Sequence, residues 1–142
     1  MSGKKKVSIV VPCYNEEENV VPISEALVAQ MEALKQYDYE ILFIDNCSTD
    51  NTRPLLRQIC AKNRRIKAIF NVKNFGQFNS PFYGMCQTTG DCTICICADF
   101  QDPVEMIPTF LKYWEEGYKI VHGVKTSSRE SGFMYALRSA YY

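Results

Sequence analysis

A carboxylate and a side-chain amide lie two residues apart in this sequence, at Asp99 and Gln101, directly after the apolar run 94–98. The run predicts a buried strand, and Pro103 suits the first turn of a helix that follows it. Because side chains alternate along a strand, Asp99 shares a face with the two cysteines of the run, and Gln101 joins them if the chain stays extended. Carboxylate and amide oxygens are hard ligands, so the pair suits Mg²⁺ or Mn²⁺ with water and phosphate completing the shell. The alternative from these residues alone is a surface turn with a helix cap.

Polar side chains also follow three other predicted strands. They are Tyr14 and Glu16 after strand 7–11, Asp45 after strand 39–44, and Asn74 and Gln77 after strand Ile66–Phe70. In a parallel sheet the carboxyl ends of the strands lie along one edge, where ligands of such folds bind. Four polar clusters at one edge predict a ligand site that is built from several loops.

The elements that must position these groups alternate between strand and helix. Helices are predicted at about 21–37, 52–63, 79–88 and 104–116, with Pro81 near the start of the third and Gly117 after the fourth. We expect the run 94–98 to be the central strand, followed by a fifth strand at 120–124, a polar loop at 125–131 and a short helix at 132–142. This alternation predicts a doubly wound α/β fold, with a mostly parallel sheet, flanking helices and right-handed crossovers.

Bulk composition describes an ordinary soluble domain. The 142 residues are 46% hydrophobic and carry a formal net charge of zero, which fits one domain with its own core and gives no indication of nucleic-acid binding. The three lysines at 4–6 are interpreted as a solvated end of the first strand. No signal peptide is visible, because the apolar run 7–11 is short and Pro12 follows it, and no transmembrane span is predicted.

The seven cysteines are an odd number, and the single histidine, His122, leaves no convincing ligand set for zinc. They are therefore predicted to be free thiols of a reducing compartment. Neither Gly-x-Gly-x-x-Gly nor the P-loop pattern occurs, so neither a dinucleotide-binding fold nor a P-loop site is indicated.

Four segments together resemble a known family in order and spacing. They are VSIVVPCYNEEENV at 7–20, FIDNCSTDNT at 43–52, NFGQ at 74–77 and ADFQDPVE at 98–105. The sequence resembles the family 2 glycosyltransferases of GT-A fold, and among them most of all the polyprenyl-phosphate sugar transferases, such as the dolichol-phosphate mannose synthases and the undecaprenyl-phosphate transferases. The resemblance covers nearly the whole chain, and it is specific for the family but not for the sugar.

The resemblance implies an inverting transfer of a sugar from a UDP- or GDP-sugar to a polyprenyl phosphate or a cell-surface glycan, in cell wall or glycan biosynthesis, with Mg²⁺ or Mn²⁺ as cofactor. It implies that residues 1–142 are a nucleotide-sugar-binding domain, the N-terminal part of a GT-A fold that is C-terminally incomplete. It further implies a cytoplasmic protein, peripheral at the cytoplasmic face of the membrane through further C-terminal structure. A homodimer is considered beside a monomer, and the sequence leaves the two open.

The resemblance also implies roles for individual residues. Those that would bind the nucleotide-sugar are Pro12, Tyr14, Glu16, Asp45, Ala98, Asp99, Gln101, Lys125 and Arg129; Asp99 and Asp102 would be catalytic, and Asp99 and Gln101 would hold the metal. Six of these residues also have a plainer interpretation. Tyr14 is then a turn aromatic, Glu16 an acid at a helix start, Asp45 and Asp102 are caps, and the two basic residues lie in a solvated loop.

Cys97 departs from the family pattern, since many relatives have Asp-x-Asp where this chain has Cys97-Ala98-Asp99. A thiol is a poor ligand for a hard ion, so Asp99 is the one carboxylate expected at the metal. Two other functions are considered. One is a non-catalytic fragment that binds a nucleotide-sugar but lacks the acceptor half. The other is a nucleotidyltransferase, which would carry a glycine-rich loop with a basic residue where this chain has PCYNEE.

Overall fold

The computed structural model describes residues 3–124, and these form four strands and four α-helices in alternation. The strands are β1 (Lys6–Cys13), β2 (Asp38–Asp45), β3 (Ile66–Phe70) and β4 (Cys92–Cys95). The helices are α1 (Val20–Ala33), α2 (Thr52–Lys62), α3 (Gly76–Cys86) and α4 (Ile107–Glu115), and a 3₁₀ turn at Val104–Met106 leads into α4. The predicted alternation is confirmed.

All strand pairs in this sheet are parallel, and their order is β3-β2-β1-β4. Cys13, the last residue of β1, pairs with Asp45, the last residue of β2, and Asp45 pairs in turn with Phe70, the last residue of β3. The carboxyl ends of these three strands therefore lie side by side. The predicted parallel α/β sheet with flanking helices is confirmed.

One face of the sheet carries the main hydrophobic core. Val7, Ile9 and Val11 of β1 point to this face and are fully buried, as is Phe43 of β2. Apolar side chains of α1, α2 and α4 complete the same cluster, with Leu27 among those that are fully buried. Each aliphatic side chain removed from water in this way contributes roughly 1.5–3 kcal/mol, so this layer holds the strand ends in register.

Helix α3 covers the other face of β1 and β2. A Cβ atom at Gly84 would lie 3.1 Å from Val10 Cγ1 and 3.2 Å from Ile44 Cγ2, so the close approach of this helix to the sheet depends on glycine. The outward side of α3 is apolar and exposed at Phe78 and Phe82, and the helix contains no charged residue.

Strand β4 differs from the prediction. It covers four residues only, it lies at the edge of the described sheet rather than at its centre, and it is half exposed rather than buried. Thr93 and Cys95 are exposed because α3 packs mainly over β1 and β2, and no described residue pairs with the far side of β4. Cys92 and Cys95 have Cys-x-x-Cys spacing but point to opposite faces of the strand, and all seven cysteines are free.

Three other boundaries were predicted wrongly. Residues 120–124 form no strand, and Ile120 and Val124 are exposed, since no described segment pairs with them after the turn at Gly117. Helix α3 begins at Gly76 instead of residue 79, which puts Pro81 inside it. Helix α1 ends at Ala33, short of residue 37. The loop predicted at 125–131 and the helix predicted at 132–142 lie outside the described residues.

Candidate functional site

Four loops follow the carboxyl ends of the parallel strands and therefore meet at one edge of the sheet. The predicted site residues of the described part all lie there. Pro12, Tyr14 and Glu16 are on β1 or the loop after it, Asp45 ends β2, and Ala98, Asp99, Gln101 and Asp102 follow β4. Tyr14, Asp99 and Gln101 are exposed, whereas Ala98 and Asp45 are buried. Lys125 and Arg129 lie outside the described residues.

The loops after β1 and β2 are hydrogen-bonded to each other. The Asn15 backbone N–H donates to Ser48 Oγ at 2.8 Å, and Asn15 Oδ1 accepts from the Thr49 backbone at 2.8 Å. One residue further, the Glu16 N–H donates to Thr52 Oγ1, also at 2.8 Å. Asn15 has a φ of 54°, a left-handed conformation that asparagine tolerates better than most residues. The two loops thus form one unit, which presents the half-exposed ring of Tyr14.

Asp45 is fully buried and already has protein partners. Both of its carboxylate oxygens lie 3.3 Å from the Ser48 backbone N–H, and Oδ2 lies 3.1 Å from Arg53 Nε, whose hydrogen is not aligned with an acceptor. We treat the Asp45–Arg53 contact as an ion pair, since charge attraction at this distance does not require alignment. Asp45 therefore caps its own turn in this structure, and its contact with a nucleotide base stays a prediction.

The loop after β4 turns sharply at the predicted metal residues. Asp99 Oδ1 accepts a hydrogen bond from the Gln101 backbone N–H at 3.1 Å, and Phe100 between them has a φ of 58°. The chain is therefore not extended at this point, and the expectation that Gln101 continues the strand face of Asp99 is not met. Asp102 Oδ2 accepts from the Cys97 backbone N–H at 3.1 Å, which closes the turn around Asp99.

Acidic groups dominate this edge of the sheet. The carboxylates on the four loops and strand ends are Glu16, Glu17, Glu18, Asp45, Asp50, Asp99 and Asp102, whereas the basic groups there within residues 3–124 are Arg53, Lys73 and the neighbouring Arg57. Arg53 is paired with Asp45, and Lys73 lies over the ring of Phe75. A diphosphate bound here would meet mainly negative charge, so these loops favour a phosphate ligand only together with a cation.

Residues 8–141 match the family described as "Glycosyl transferase family 2". The chain belongs to this family. It is 35% identical over 127 residues to the bactoprenol glucosyl transferase of Shigella phage SfX, and equally to the prophage bactoprenol glucosyl transferase homolog of Escherichia coli K12. In both comparisons 89% of this chain is covered but only 41% of the relative, so the chain spans about two fifths of the length of these curated relatives.

Solved structures of similar fold also belong to larger proteins. The mannosyltransferase PcManGT from Pyrobaculum calidifontis, in complex with GDP-Man and Mn²⁺, superimposes with a TM-score of 0.68 at 19% identity, over 96% of this chain and 39% of that one. S. aureus TarS 1–349 in complex with UDP-GlcNAc gives 0.63 at 20% identity, over 87% of this chain and 37% of that one. At these identities the likeness shows the fold, which is the GT-A type.

The loop after β4 offers few metal ligands of its own. No group of three or more His, Cys, Asp or Glu side chains within residues 3–124 is arranged to hold a metal ion. Desolvation and the negative charges of Asp102 and Asp99 raise the pKa of the Cys97 thiol to about 12, and sulfur is a poor ligand for a hard ion such as Mg²⁺. The exposed carboxylate of Asp99 and the amide of Gln101 remain as hard oxygen donors. They fit a Mg²⁺ or Mn²⁺ ion that takes most of its shell from phosphate and water.

Sequence patterns did not indicate one residue at this edge, Asn46. Its side chain is buried and bonds to Asn71, Asn74 and Phe75 in the loop before α3 and to Gly76, the first residue of that helix. Asparagine is common in turns directly after a strand, and this weak local pattern is the one indication of a role for Asn46 in the sequence.

Proposed function

We propose that this chain is the nucleotide-sugar-binding part of an inverting glycosyltransferase. The observation that carries the proposal is the meeting, at one edge of a parallel sheet in a family 2 chain, of the loop with Tyr14 and Glu16 and the turn with Asp99. An exposed ring and a carboxylate suit a nucleoside, and an exposed carboxylate nearby on the same edge suits a diphosphate with its cation. Because the chain spans 41% of its curated relatives, the transfer itself is proposed for the whole protein.

The proposed donor is a UDP- or GDP-sugar. The ring of Tyr14 is 47% exposed and can stack on a base, while Glu16 can accept from ribose hydroxyls or base N–H groups. Glu16 is held in place by Asn19 Nδ2, which donates to its Oε2 at 2.7 Å. The similar structures include a complex with UDP-GlcNAc and a complex with GDP-Man, so they support the class of donor and leave the nucleotide open.

We propose Asp99 and Gln101 as the residues that hold Mg²⁺ or Mn²⁺. When bound, the ion would neutralise charge on the departing diphosphate and orient it. The acidic character of this edge supports such a requirement. Asp102 supports the site by accepting from Cys97 and closing the turn, and Lys125 and Arg129 are proposed as further phosphate contacts because arginine and lysine neutralise phosphate charge.

The proposed acceptor is a polyprenyl phosphate, which the names of the bactoprenol transferases support, with a glycan as the alternative. An acceptor oxygen forms a bond to the anomeric carbon from the face opposite the diphosphate, and the bond from that carbon to the diphosphate oxygen breaks. A lipid phosphate is already anionic at neutral pH, so its attack requires no general base, whereas a glycan hydroxyl would require one.

With a polyprenyl phosphate as acceptor the protein would act at the cytoplasmic face of a membrane, as a monomer or a homodimer. No helix formed by residues 3–124 is long and apolar enough to cross a membrane.

Titration calorimetry tests the donor site. UDP and GDP are each titrated with and without Mn²⁺ into the unsubstituted chain, Asp99→Ala and the control Glu25→Ala, which removes an exposed acid of α1. We expect one nucleotide to bind with Mn²⁺, Asp99→Ala to weaken this binding about tenfold or more, and Glu25→Ala to have no effect. Absence of binding to both nucleotides under every condition would refute the donor site.

A non-catalytic nucleotide-sugar-binding fragment that lacks the acceptor half is the second candidate. Hydrolysis and transfer assays with a panel of UDP- and GDP-sugars distinguish the two. Binding without turnover of any donor supports the fragment, and turnover supports the enzyme.

A further inference from the structure

Asn46 connects the ends of three elements at the proposed donor site. Its backbone N–H donates to the Cys13 carbonyl at the end of β1 at 2.9 Å, and its residue follows β2 directly. The side chain is turned toward the loop 71–75 that leads from β3 into α3. Only 8% of the residue is exposed, so its polar atoms depend on protein partners.

We propose that Asn46 is a positioning residue of the donor site, which acts by holding the loop 71–75 and the start of α3 against the ends of β1 and β2. This proposal rests on the proposed function. It adds to the proposed function a role for the Asn46 side chain, which is too buried to be a main contact of the ligand and acts through its neighbours.

The acceptor atom of the Asn46 amide holds the loop backbone. Asn46 Oδ1 accepts a hydrogen bond of 2.9 Å from the Phe75 backbone N–H and one of 3.3 Å from Asn71 Nδ2. Asn71 Nδ2 also donates to Ser80 Oγ of α3 at 2.9 Å. The loop is therefore fixed at its beginning and at its end by one oxygen.

The donor atom of the same amide fixes the first residue of α3. Asn46 Nδ2 donates to Asn74 Oδ1 at 2.9 Å and to the Gly76 carbonyl at 3.2 Å. Asn74 Oδ1 in turn accepts from the Gly76 backbone N–H at 2.8 Å. Gly76 has a φ of 85°, a conformation that glycine adopts without strain, and these bonds select it among the many that glycine can adopt.

Asparagine is required at this position because the amide both donates and accepts. An aspartate of the same size keeps the acceptor for the Phe75 N–H but has no hydrogen to donate. Its second oxygen would face Asn74 Oδ1 and the Gly76 carbonyl, so two attractive contacts become oxygen–oxygen repulsions. The substitution Asn46→Asp thus tests the donor bonds with almost no change of shape.

Asn79→Asp is the matched control. It is the same chemical change one turn into α3, and it removes one hydrogen bond, from Asn79 Nδ2 to the Phe75 carbonyl at 3.1 Å. The Asn79 side chain is exposed, so water replaces that bond. Both variants add one negative charge near the loop.

The experiment combines nucleotide binding with amide hydrogen exchange on the full 142-residue chain. For Asn46→Asp we expect affinity for UDP or GDP with Mn²⁺ to fall about tenfold or more, and the Phe75 and Gly76 amides to exchange about tenfold faster. The Ile96 amide, which donates to the Val10 carbonyl directly after β4, should keep its exchange rate, and Asn79→Asp should stay within about twofold of the parent in affinity.

Two results would overturn the proposal. One is parental affinity and parental exchange in Asn46→Asp, and the other is an equal loss of affinity in Asn79→Asp, which would assign the effect to added charge. If the parent binds neither nucleotide, the proposed function fails. The exchange rates of Phe75 and Gly76 then still decide whether Asn46 holds the loop.

Discussion

The backbone N–H of Cys97 donates a hydrogen bond of 3.1 Å to Asp102 Oδ2, across a turn that contains Asp99. The bond joins the chain before the turn to the chain after it, and Asp99 lies exposed between the two ends. Phe100 adopts a left-handed φ of 58° in the same turn. The direction of the Asp99 carboxylate therefore depends on its neighbours as much as on its own position in the sequence.

Replacing Asp102 separates its structural role from a catalytic one. Asp102→Asn keeps an oxygen that can accept from Cys97, whereas Asp102→Ala removes it. We expect Asp102→Ala to lower the free energy of unfolding by about 1 kcal/mol and to weaken Mn²⁺-dependent nucleotide binding about threefold to tenfold. Asp102→Asn should stay close to the parent in binding. If Asp102→Asn loses as much binding as Asp102→Ala, the negative charge matters, and the catalytic role predicted for Asp102 gains support.

Cys97 offers a way to strengthen the metal site. Cys97→Asp adds a second carboxylate two residues before Asp99, and carboxylate oxygens are preferred ligands of Mn²⁺ and Mg²⁺. We expect the affinity for nucleotide with Mn²⁺ to rise about threefold or more, and binding without metal to weaken, because the added charge repels phosphate. Calorimetry at several Mn²⁺ concentrations measures both. Cys97→Ser is the uncharged control, and a rise of the same size in that variant would contradict the metal assignment.

Strands β1 and β2 were predictable because their environment is uniform. Both are apolar runs with parallel neighbours on both sides, which keeps them buried along their length. The edge strand β3 is only partly buried, and its short apolar run between two polar segments still predicted it. The run 94–98 has a similar composition, but β4 has one described neighbour and is half exposed. Composition records the preference of a segment for burial, whereas the packing around it decides whether burial occurs.

Long-range hydrogen bonds explain what the sequence did not predict at the site. The start of α3 at Gly76 is fixed by Asn74, and Asn74 is held by Asn46, which lies 28 residues earlier. Helical periodicity contains no information about such a contact. The edge position of Asp45 was predictable from the strand that precedes it, but its burial beside Arg53 depends on how α2 packs against β2.

Phe100 should be replaceable by glycine with a gain in stability. Its φ of 58° costs a residue with a Cβ about 1–2 kcal/mol, and its side chain is 44% exposed, so little burial is lost. We expect Phe100→Gly to raise the free energy of unfolding by up to about 1 kcal/mol in urea titrations, since the greater freedom of glycine in the unfolded chain offsets part of the gain. Phe82→Gly, an exposed phenylalanine within α3, should instead destabilise by about 1 kcal/mol. A loss of stability in Phe100→Gly would show that the ring is held by contacts stronger than the strain.

Glu40 should make the fold sensitive to acid. It is almost fully buried on β2, where Lys67 Nζ lies 2.8 Å from Oε2, and the Thr89 N–H and Ser8 Oγ each donate to Oε1 at 2.8 Å. Burial by itself raises the pKa of this carboxyl, but the hydrogen bonds from Lys67, Thr89, Ser8 and Lys6 outweigh it, and the pKa lies well below the ordinary value. An unfolded glutamate has a pKa of about 4.3, so the stabilisation is present above about pH 4 and is lost as the pH falls below it.

Glu40→Gln tests this dependence, because glutamine keeps an acceptor for Ser8 and Thr89 but loses the charge that attracts the two lysines. We expect the free energy of unfolding of the variant to be about 1–3 kcal/mol lower than that of the parent at pH 7. Between about pH 5 and pH 2 we expect it to decrease less than that of the parent. Urea titrations at intervals of one pH unit measure both quantities. Glu25→Gln, an exposed position on α1, should follow the parent at every pH. If the stability of Glu40→Gln falls with acid as steeply as that of the parent, the acid sensitivity belongs to other carboxylates. Asp50 is then the first candidate, because hydrogen bonds from Thr52 and Glu17 lower its pKa despite partial desolvation.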